Sequence, residues 1–285
     1  MTISMRTASI RATSTRAADS VDNYIRRTVL DSLATFGRAI QMAVLVVAFT
    51  LVDIVRGKFP ARDFISLTWF VITVTAVPTV LASIPFGIII SAQVGSLTEQ
   101  VGATSISGAA GGLGVIQQGA PIVAALLLGG AAGAAIAADL GARVLREEID
   151  ALRVMGLDPV RRLVAPRVAA LVFVAPLICF VTIIMGLVTG FTIAVAVQGV
   201  APGSYISSFA AFASVTDLAI AVVKSLIFAF VVAVVACQRG METKHGAIAV
   251  ANSVNAAVVV GIVAAFALNT AITQVTTMFF PPKII

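Results

Sequence analysis

Apolar and charged positions divide the chain into long uncharged runs separated by short charged blocks. Residues 64–138 carry a single charge, Glu99, and neither 168–216 nor 246–282 carries any. A helix that crosses bilayer hydrocarbon needs about 20 predominantly apolar residues. The run 64–138 therefore predicts two spans, near 64–91 and 112–138, joined by a Gly/Ser/Thr-rich turn around Glu99. The run 168–216 predicts one long span, 168–197, because Gln198-Gly-Val-Ala-Pro-Gly-Ser204 reads as loop. An outside segment with a short interfacial helix follows it. The fourth and fifth spans fall near 217–237 and 247–279. The expected fold is an all-α polytopic membrane protein with five transmembrane helices.

Residues 39–55, AIQMAVLVVAFTLVDIV, are apolar but short and contain Asp53. Counted as a span, they would move Arg56, Lys58, Arg62 and the arginine-rich block 139–167 to the outer side, against the positive-inside bias. With five spans, residues 1–63, 139–167 and 238–246 share one side and hold 17 of the 19 basic residues. Residues 39–55 are therefore expected to lie along or dip into the inner leaflet. Before them, Val21, Tyr24, Ile25, Val29, Leu33, Phe36 and Ile40 recur at helical spacing, with Asp22, Arg26, Arg27, Asp31 and Arg38 between. That is an amphipathic surface helix, so 21–63 reads as interfacial elbow helices. Residues 1–20 lack the apolar stretch of a signal peptide and read as a flexible cytoplasmic tail in preference to an organelle transit peptide, which their Arg-rich, acid-poor composition also resembles. The tail puts the N-terminus inside and the C-terminus outside.

Composition agrees and excludes a soluble class. Of 285 residues 59% are hydrophobic and 11% charged, with mean hydropathy +1.07, where a soluble domain is about 25% charged. The net charge of +6 then reports orientation rather than nucleic-acid binding. Cys179 and Cys237 lie in apolar runs and read as small core residues. No enzyme pattern is present: His245 is the single histidine and lacks a metal-ligand partner, so no metal site is expected. A glycine-rich phosphate loop is missing too, so ATP and Mg²⁺, if used, belong on another chain. Intramembrane charge is nearly absent. Lys224 lies seven residues after Asp217, and it either snorkels to the interface beside that residue or lines a substrate path. Gly129, Gly130 and Gly133 give the second span small-xxx-small spacing, which suits close helix packing, whether of a sliding or dimerising helix or of a static one.

The block DLGARVLREEIDALRVMGLDPVRRLVAPR, 139–167, holds six arginines and five acids. Val144, Leu145, Ile149, Leu152 and Met155 follow helical spacing, and Gly156 is placed to end the helix, with Asp158-Pro159 beyond it. A helix over 142–156 is expected. Carrying both signs of charge, it is suited to dock on a cytoplasmic partner, or to serve as a solvated connecting helix whose apolar stripe rests on the membrane.

The segment EEIDALRVMGLDPVRRLVAPR resembles the signature of the MlaE/YrbE permease family. GAPIVAALLLGGAAGAAIAADLG resembles that family's GP-x-x-AALL-x-AGR-x-G-x-x-x-AE-x-G stretch, and Thr35-Phe36-Gly37-Arg38 its interfacial helix. The resemblance implies a permease domain over 64–280 and a coupling helix at 142–156 that fits a groove of an MlaF-like ATPase. Arg146, Glu147, Glu148, Asp150, Arg153 and Met155 are the coupling candidates. It also implies lipid transport across the envelope with MCE-domain proteins, with fatty or mycolic acids favoured over sterols. The chain departs from the pattern at Gln118 (family Glu), Ala120 (inserted), Ala131 (family Arg) and Asp139 (family Glu). Loss of polar residues in one copy implies an asymmetric pair, as in actinobacterial systems with two YrbE-type permeases. The competing functions are an ion-coupled secondary carrier and a non-transporting anchor for MCE proteins.

Overall fold

The computed structural model describes residues 34–57, 60–244 and 246–279. The tail 1–20, the amphipathic stretch as far as Leu33, and His245 lie outside the described residues. Among the described residues six helices are long and apolar enough to cross a membrane by length and composition, and the fold is an all-α polytopic membrane protein. They are α1 (Ala34–Val55), α2 (Ala61–Gln100), α3 (Thr104–Leu145), α5 (Val160–Ala196), α7 (Val215–Met241) and α8 (Ala247–Phe279). Two short helices lie between them, α4 (Glu148–Val154) and α6 (Pro202–Phe212). Four of the five expected spans lie within one of the long helices, and the third, 168–197, runs one residue past the end of α5. Residues 39–55 belong to the 22-residue α1, which is long enough by itself to be a sixth candidate beside those five. The described residues fall into two units, one ending at Val44 and one beginning at Leu45.

In the larger unit α2 packs along α5. Its 40 residues bury a narrow stripe, Thr68, Val71, Thr75, Thr79, Ser83, Gly87, Ser91, Gly95 and Thr98, nearly all small or hydroxylated. Hydroxyls on this stripe need not stay unpaired in lipid, because Thr75, Thr79 and Ser83 each donate to the carbonyl four residues earlier, at 2.6–2.7 Å. Small residues let the two backbones approach closely. A Cβ on Gly87 would lie 2.7 Å from the Gly186 carbonyl oxygen, and Ser91 Oγ donates to the Gly190 carbonyl at 2.9 Å.

On the other side α3 meets α7 and α8. Ala125, Phe228, Val232 and Ala265 form a buried cluster there, and a Cβ on Gly240 would come within 3.0 Å of the Ala137 carbonyl oxygen. The α6 helix closes one end of the bundle: Tyr205 is buried with Ala194 and Val200, and its ring meets Phe191 edge-on at 5.3 Å. This is the short helix expected after the third span. At the opposite end, α3 and α5 are joined by residues 146–159, which include α4.

α3 is not a regular α-helix. Residues Val115–Gly119 and Leu128–Gly133 are wound as π-helix, and Val160–Val164 opens α5 in the same way. Such widened turns shift the register of side chains and recur at functional positions.

Candidate functional site

Two places bring the polar residues of this apolar chain together. The first is the connection from α3 to α5. The continuous helix expected over 142–156 is in fact two pieces. α3 runs on to Leu145, the chain bends at Arg146–Glu147, and α4 covers Glu148–Val154. Glu147 has φ 58°, and among the described residues it is the only non-glycine with positive φ. Left-handed backbone after a helix end is usually glycine, so the glutamate marks a bend that surrounding contacts must hold. They do so with charge. Glu148 accepts from Arg146 Nε at 2.7 Å and from Arg143 Nη1 at 3.2 Å, while Arg143 Nε donates to Asp139 at 3.3 Å. Asp139 also takes Arg167 of α5, itself 5% exposed, which donates to the Leu163 carbonyl as well. The bend is thereby tied to the ends of both long helices.

Gly156, at φ 75°, ends α4 as expected: its N–H donates to the Arg153 carbonyl and that of Leu157 to the Leu152 carbonyl, the Schellman arrangement. Asp158 Oδ1 then accepts from the Val160 N–H at 2.8 Å and starts α5. Of the coupling candidates, Arg146 and Glu148 stabilise the bend, Glu147 forms it, and Asp150 pairs with Arg153 at 2.9 Å. Met155 is exposed. It belongs to an apolar tip with Val154 and Leu157, 89%, 63% and 48% exposed for 154, 155 and 157, while Ile149 alone on α4 is buried. Val154 and Leu157 were not among the sequence candidates. Neither lies on the stripe Val144, Leu145, Ile149, Leu152 and Met155, and Leu157 falls beyond the expected helix, so helical spacing gave no signal for either.

Further ion pairs fix what enters this end. Asp53 of α1, 4% exposed, pairs with Arg161, and Asp63 lies 3.7 Å from Arg162. The C-terminal end of α1, the start of α2 and the start of α5 are therefore on the side of the charged connection.

The second place lies toward the other end, where α3, α7 and α8 meet. Lys224 is 1% exposed and does not snorkel; Nζ donates to the Gln117 carbonyl at 3.1 Å and to Thr273 Oγ1 at 2.9 Å. The carbonyl is available because Pro121, one turn on, has no N–H to offer it. Gln117 Nε2 donates to Asp217 Oδ1 at 2.8 Å, and Asp217 also caps α7 in a reciprocal pair with Ser214. Gln118 Nε2 donates to Thr273 Oγ1 at 3.3 Å and Gln118 Oε1 accepts from Asn269 Nδ2 at 3.1 Å. Both glutamines sit in the first π-helical turn, whose wider winding brings two consecutive side chains into one cluster. Asn269 Oδ1 is buried without a partner. Lys224 and Asp217 thus share Gln117 rather than meeting directly. A search for charge alone misses Gln117, Gln118, Asn269 and Thr273, although amides in apolar runs are themselves costly in lipid.

The predicted small-residue motif is less tight than other glycines. Gly129 and Gly133 meet Val232 at ordinary contact, 3.5 and 3.7 Å from a notional Cβ, and nothing lies within 4 Å of Gly130. Close backbone approach occurs instead at Gly87, Gly108, Gly186 and Gly240. Both cysteines are buried.

Residues 64–275 match the MlaE permease family, described as Permease MlaE. A probable ABC transporter permease protein of Synechocystis is 30% identical over 183 residues, 64% of this chain and 70% of that protein. The chloroplast protein trigalactosyldiacylglycerol 1 of Arabidopsis thaliana is 31% identical over 146 residues, 51% of this chain and 42% of that protein. A probable ABC transporter permease of Rickettsia typhi is 28% identical over 139 residues, 49% and 54% respectively. The chain spans about half the length of these last two. Helices, connection and relatives agree: the chain belongs to the MlaE permease family, a multi-pass membrane subunit of an ABC transporter whose ATPase is a separate partner.

Proposed function

We propose that this subunit moves lipids, fatty or mycolic acids in preference to sterols, across the envelope in an MCE-associated ABC transporter of actinobacterial YrbE type. The observation that carries the coupling part is the apolar tip Val154–Met155–Leu157, held out from a bend that ion pairs lock to both α3 and α5. A force on that tip is transmitted to two spans at once. The ATPase binds ATP and Mg²⁺; this chain supplies the tip, with Asp150 and Arg153 beside it as polar rim.

The substrate path runs past the Lys224 cluster. Its ammonium is solvated by neutral acceptors and its own hydrogen bonds include no carboxylate, which leaves its charge to an acidic lipid headgroup. Gln118 and Ala131 stand where the family pattern has Glu and Arg, and this supports pairing with a second YrbE-type permease that retains the charges. MCE-domain proteins receive or deliver the lipid on the α6 side. Orientation follows the arginines: the connection 146–159, the α1 end and the N-terminus are cytoplasmic, the C-terminus is outside, and the complex is in the inner (plasma) membrane. Asp53 and Asp63 pairing with Arg161 and Arg162 supports a C-terminal end of α1 at the cytoplasmic face.

Proteoliposomes holding the co-purified complex and isotopically labelled fatty acid test this. Lipid movement that requires ATP and ignores a proton gradient is expected. Movement without ATP that collapses with the gradient would establish an ion-coupled carrier and overturn the proposal.

A further inference from the structure

Near the charged connection, α1 and α5 do not close against each other. Val47, Leu51 and Ile54 of α1 and Ala169, Phe173 and Leu177 of α5 line a groove of about 660 Å³ whose floor includes Phe230 of α7. That is within the roughly 300–1,000 Å³ usual for small-molecule sites. The lining covers roughly 11–12 Å along each helix at 1.5 Å per residue. Phe64 and Phe173, edge to face at 5.8 Å, form the wall toward the connection. Protein interiors are otherwise close-packed, and an open apolar groove in a bilayer fills with hydrocarbon.

Charge narrows the occupant. Ile54 adjoins Asp53, which is bonded to Arg161, and Phe64 adjoins Asp63, which lies beside Arg162. Arg56 and Arg62 are exposed at the same end. Asp158 also acts on Arg161, so the rim sets four arginines against three carboxylates. Apolar matching cannot select among lipids, since their tails are as apolar as the lining. Selection falls to the headgroup, and a basic rim favours an anionic one.

We propose that this groove is a binding site for one acyl chain of an anionic bilayer lipid, with its headgroup against Arg56 and Arg162, separate from the Lys224 cluster. Such a chain bridges α1 to the start of α5, the helix that follows the coupling bend, so occupancy sets how firmly α1 is held there. The site stands or falls independently of the transported substrate.

The test uses the permease co-purified with its ATPase in phosphatidylcholine nanodiscs. Traces of tail-diazirine phosphatidylglycerol or tail-diazirine phosphatidylcholine are added, and the crosslinked peptides are mapped by mass spectrometry. Labelling should concentrate within residues 46–54 and 168–177, with a preference for phosphatidylglycerol of roughly fivefold, which is what one net basic residue supplies. Excess unlabelled phosphatidylglycerol should compete it away. Ala169→Trp, which fills the groove, should abolish it, and Leu177→Trp serves if that variant does not assemble. Labelling spread evenly over the lipid-facing helices, equal labelling by both lipids, or labelling unchanged by groove filling would each overturn the site.

Discussion

Glu147 is the residue at which the connection between α3 and α5 is most open to quantitative challenge. At φ 58° it lies in the left-handed region, which costs a side chain about 1–2 kcal/mol. Glycine escapes that cost but loses roughly 0.5–1 kcal/mol through extra freedom in the unfolded chain. Glu147→Gly should therefore leave the bend within about 1 kcal/mol of the parent. Valine is β-branched and a genuine outlier there, so Glu147→Val should weaken the bend by a further ~1–2 kcal/mol. With about 1.4 kcal/mol per factor of ten, its open population rises roughly 5–30-fold. Arg146, in the bend, and Arg153, near the end of α4, are exposed, so trypsin reads that population directly when opening is fast relative to cleavage. The valine variant of the permease should be cut in this segment roughly 5–30 times faster than the parent, and the glycine variant within about fivefold. ATP-driven transport should survive in the glycine variant and fail in the valine variant. Equal cleavage of all three would refute the view that backbone conformation at 147 holds the bend. Loss of transport in the glycine variant with normal cleavage would place the requirement on the carboxylate instead.

Lys224→Met removes two donated hydrogen bonds, worth about 0.6–1.7 kcal/mol each in lipid, and a desolvation cost of about 2.5–3.5 kcal/mol. The two nearly cancel, so thermal stability in detergent should hold within about 1–2 kcal/mol while lipid transport falls sharply; unchanged transport would make the lysine structural only. Gly87→Val drives a Cβ to 2.7 Å from the Gly186 carbonyl oxygen, and overpacking of this kind costs about 1–3 kcal/mol, measurable as a lowered Tm. Gly130→Ala meets nothing within 4 Å and should be neutral or stabilising by up to about 1 kcal/mol from helix propensity; a Tm drop larger than that of Gly87→Val would reverse the assignment of the tight contacts.

The long helices were legible because charge cannot be hidden in hydrocarbon. One glutamate in 64–138 and no charge in 168–216 or 246–282 left few places for the chain to turn. Residues 39–55 were harder, since an apolar run with an aspartate reads the same whether it lies flat or crosses, and the Asp53–Arg161 pair became visible only with both helices in place. The bend at Glu147 was unreadable because glycine or asparagine normally announces left-handed backbone. Gly156 and Asp158-Pro159, which do carry such signals, were placed correctly. Small-xxx-small spacing in α3 said that a close approach was available, not which neighbour would use it; the hydroxyl and glycine stripe of α2 against α5 is where backbones come nearest. The Lys224 cluster depends on two glutamines brought together by a π-helical turn, and no spacing rule for an α-helix pairs consecutive residues.

The coupling role rests on the exposed tip of the connection, so the most direct measurement is co-purification of the ATPase with Val154→Glu/Met155→Glu, quantified alongside membrane insertion of the permease and ATP hydrolysis by the complex. Both side chains are exposed, at 89% and 63%, so the variant should insert and fold normally. The expected result is loss of the ATPase from the purified permease and of lipid-stimulated hydrolysis. Full retention of the ATPase, with hydrolysis still coupled to lipid movement, would contradict it.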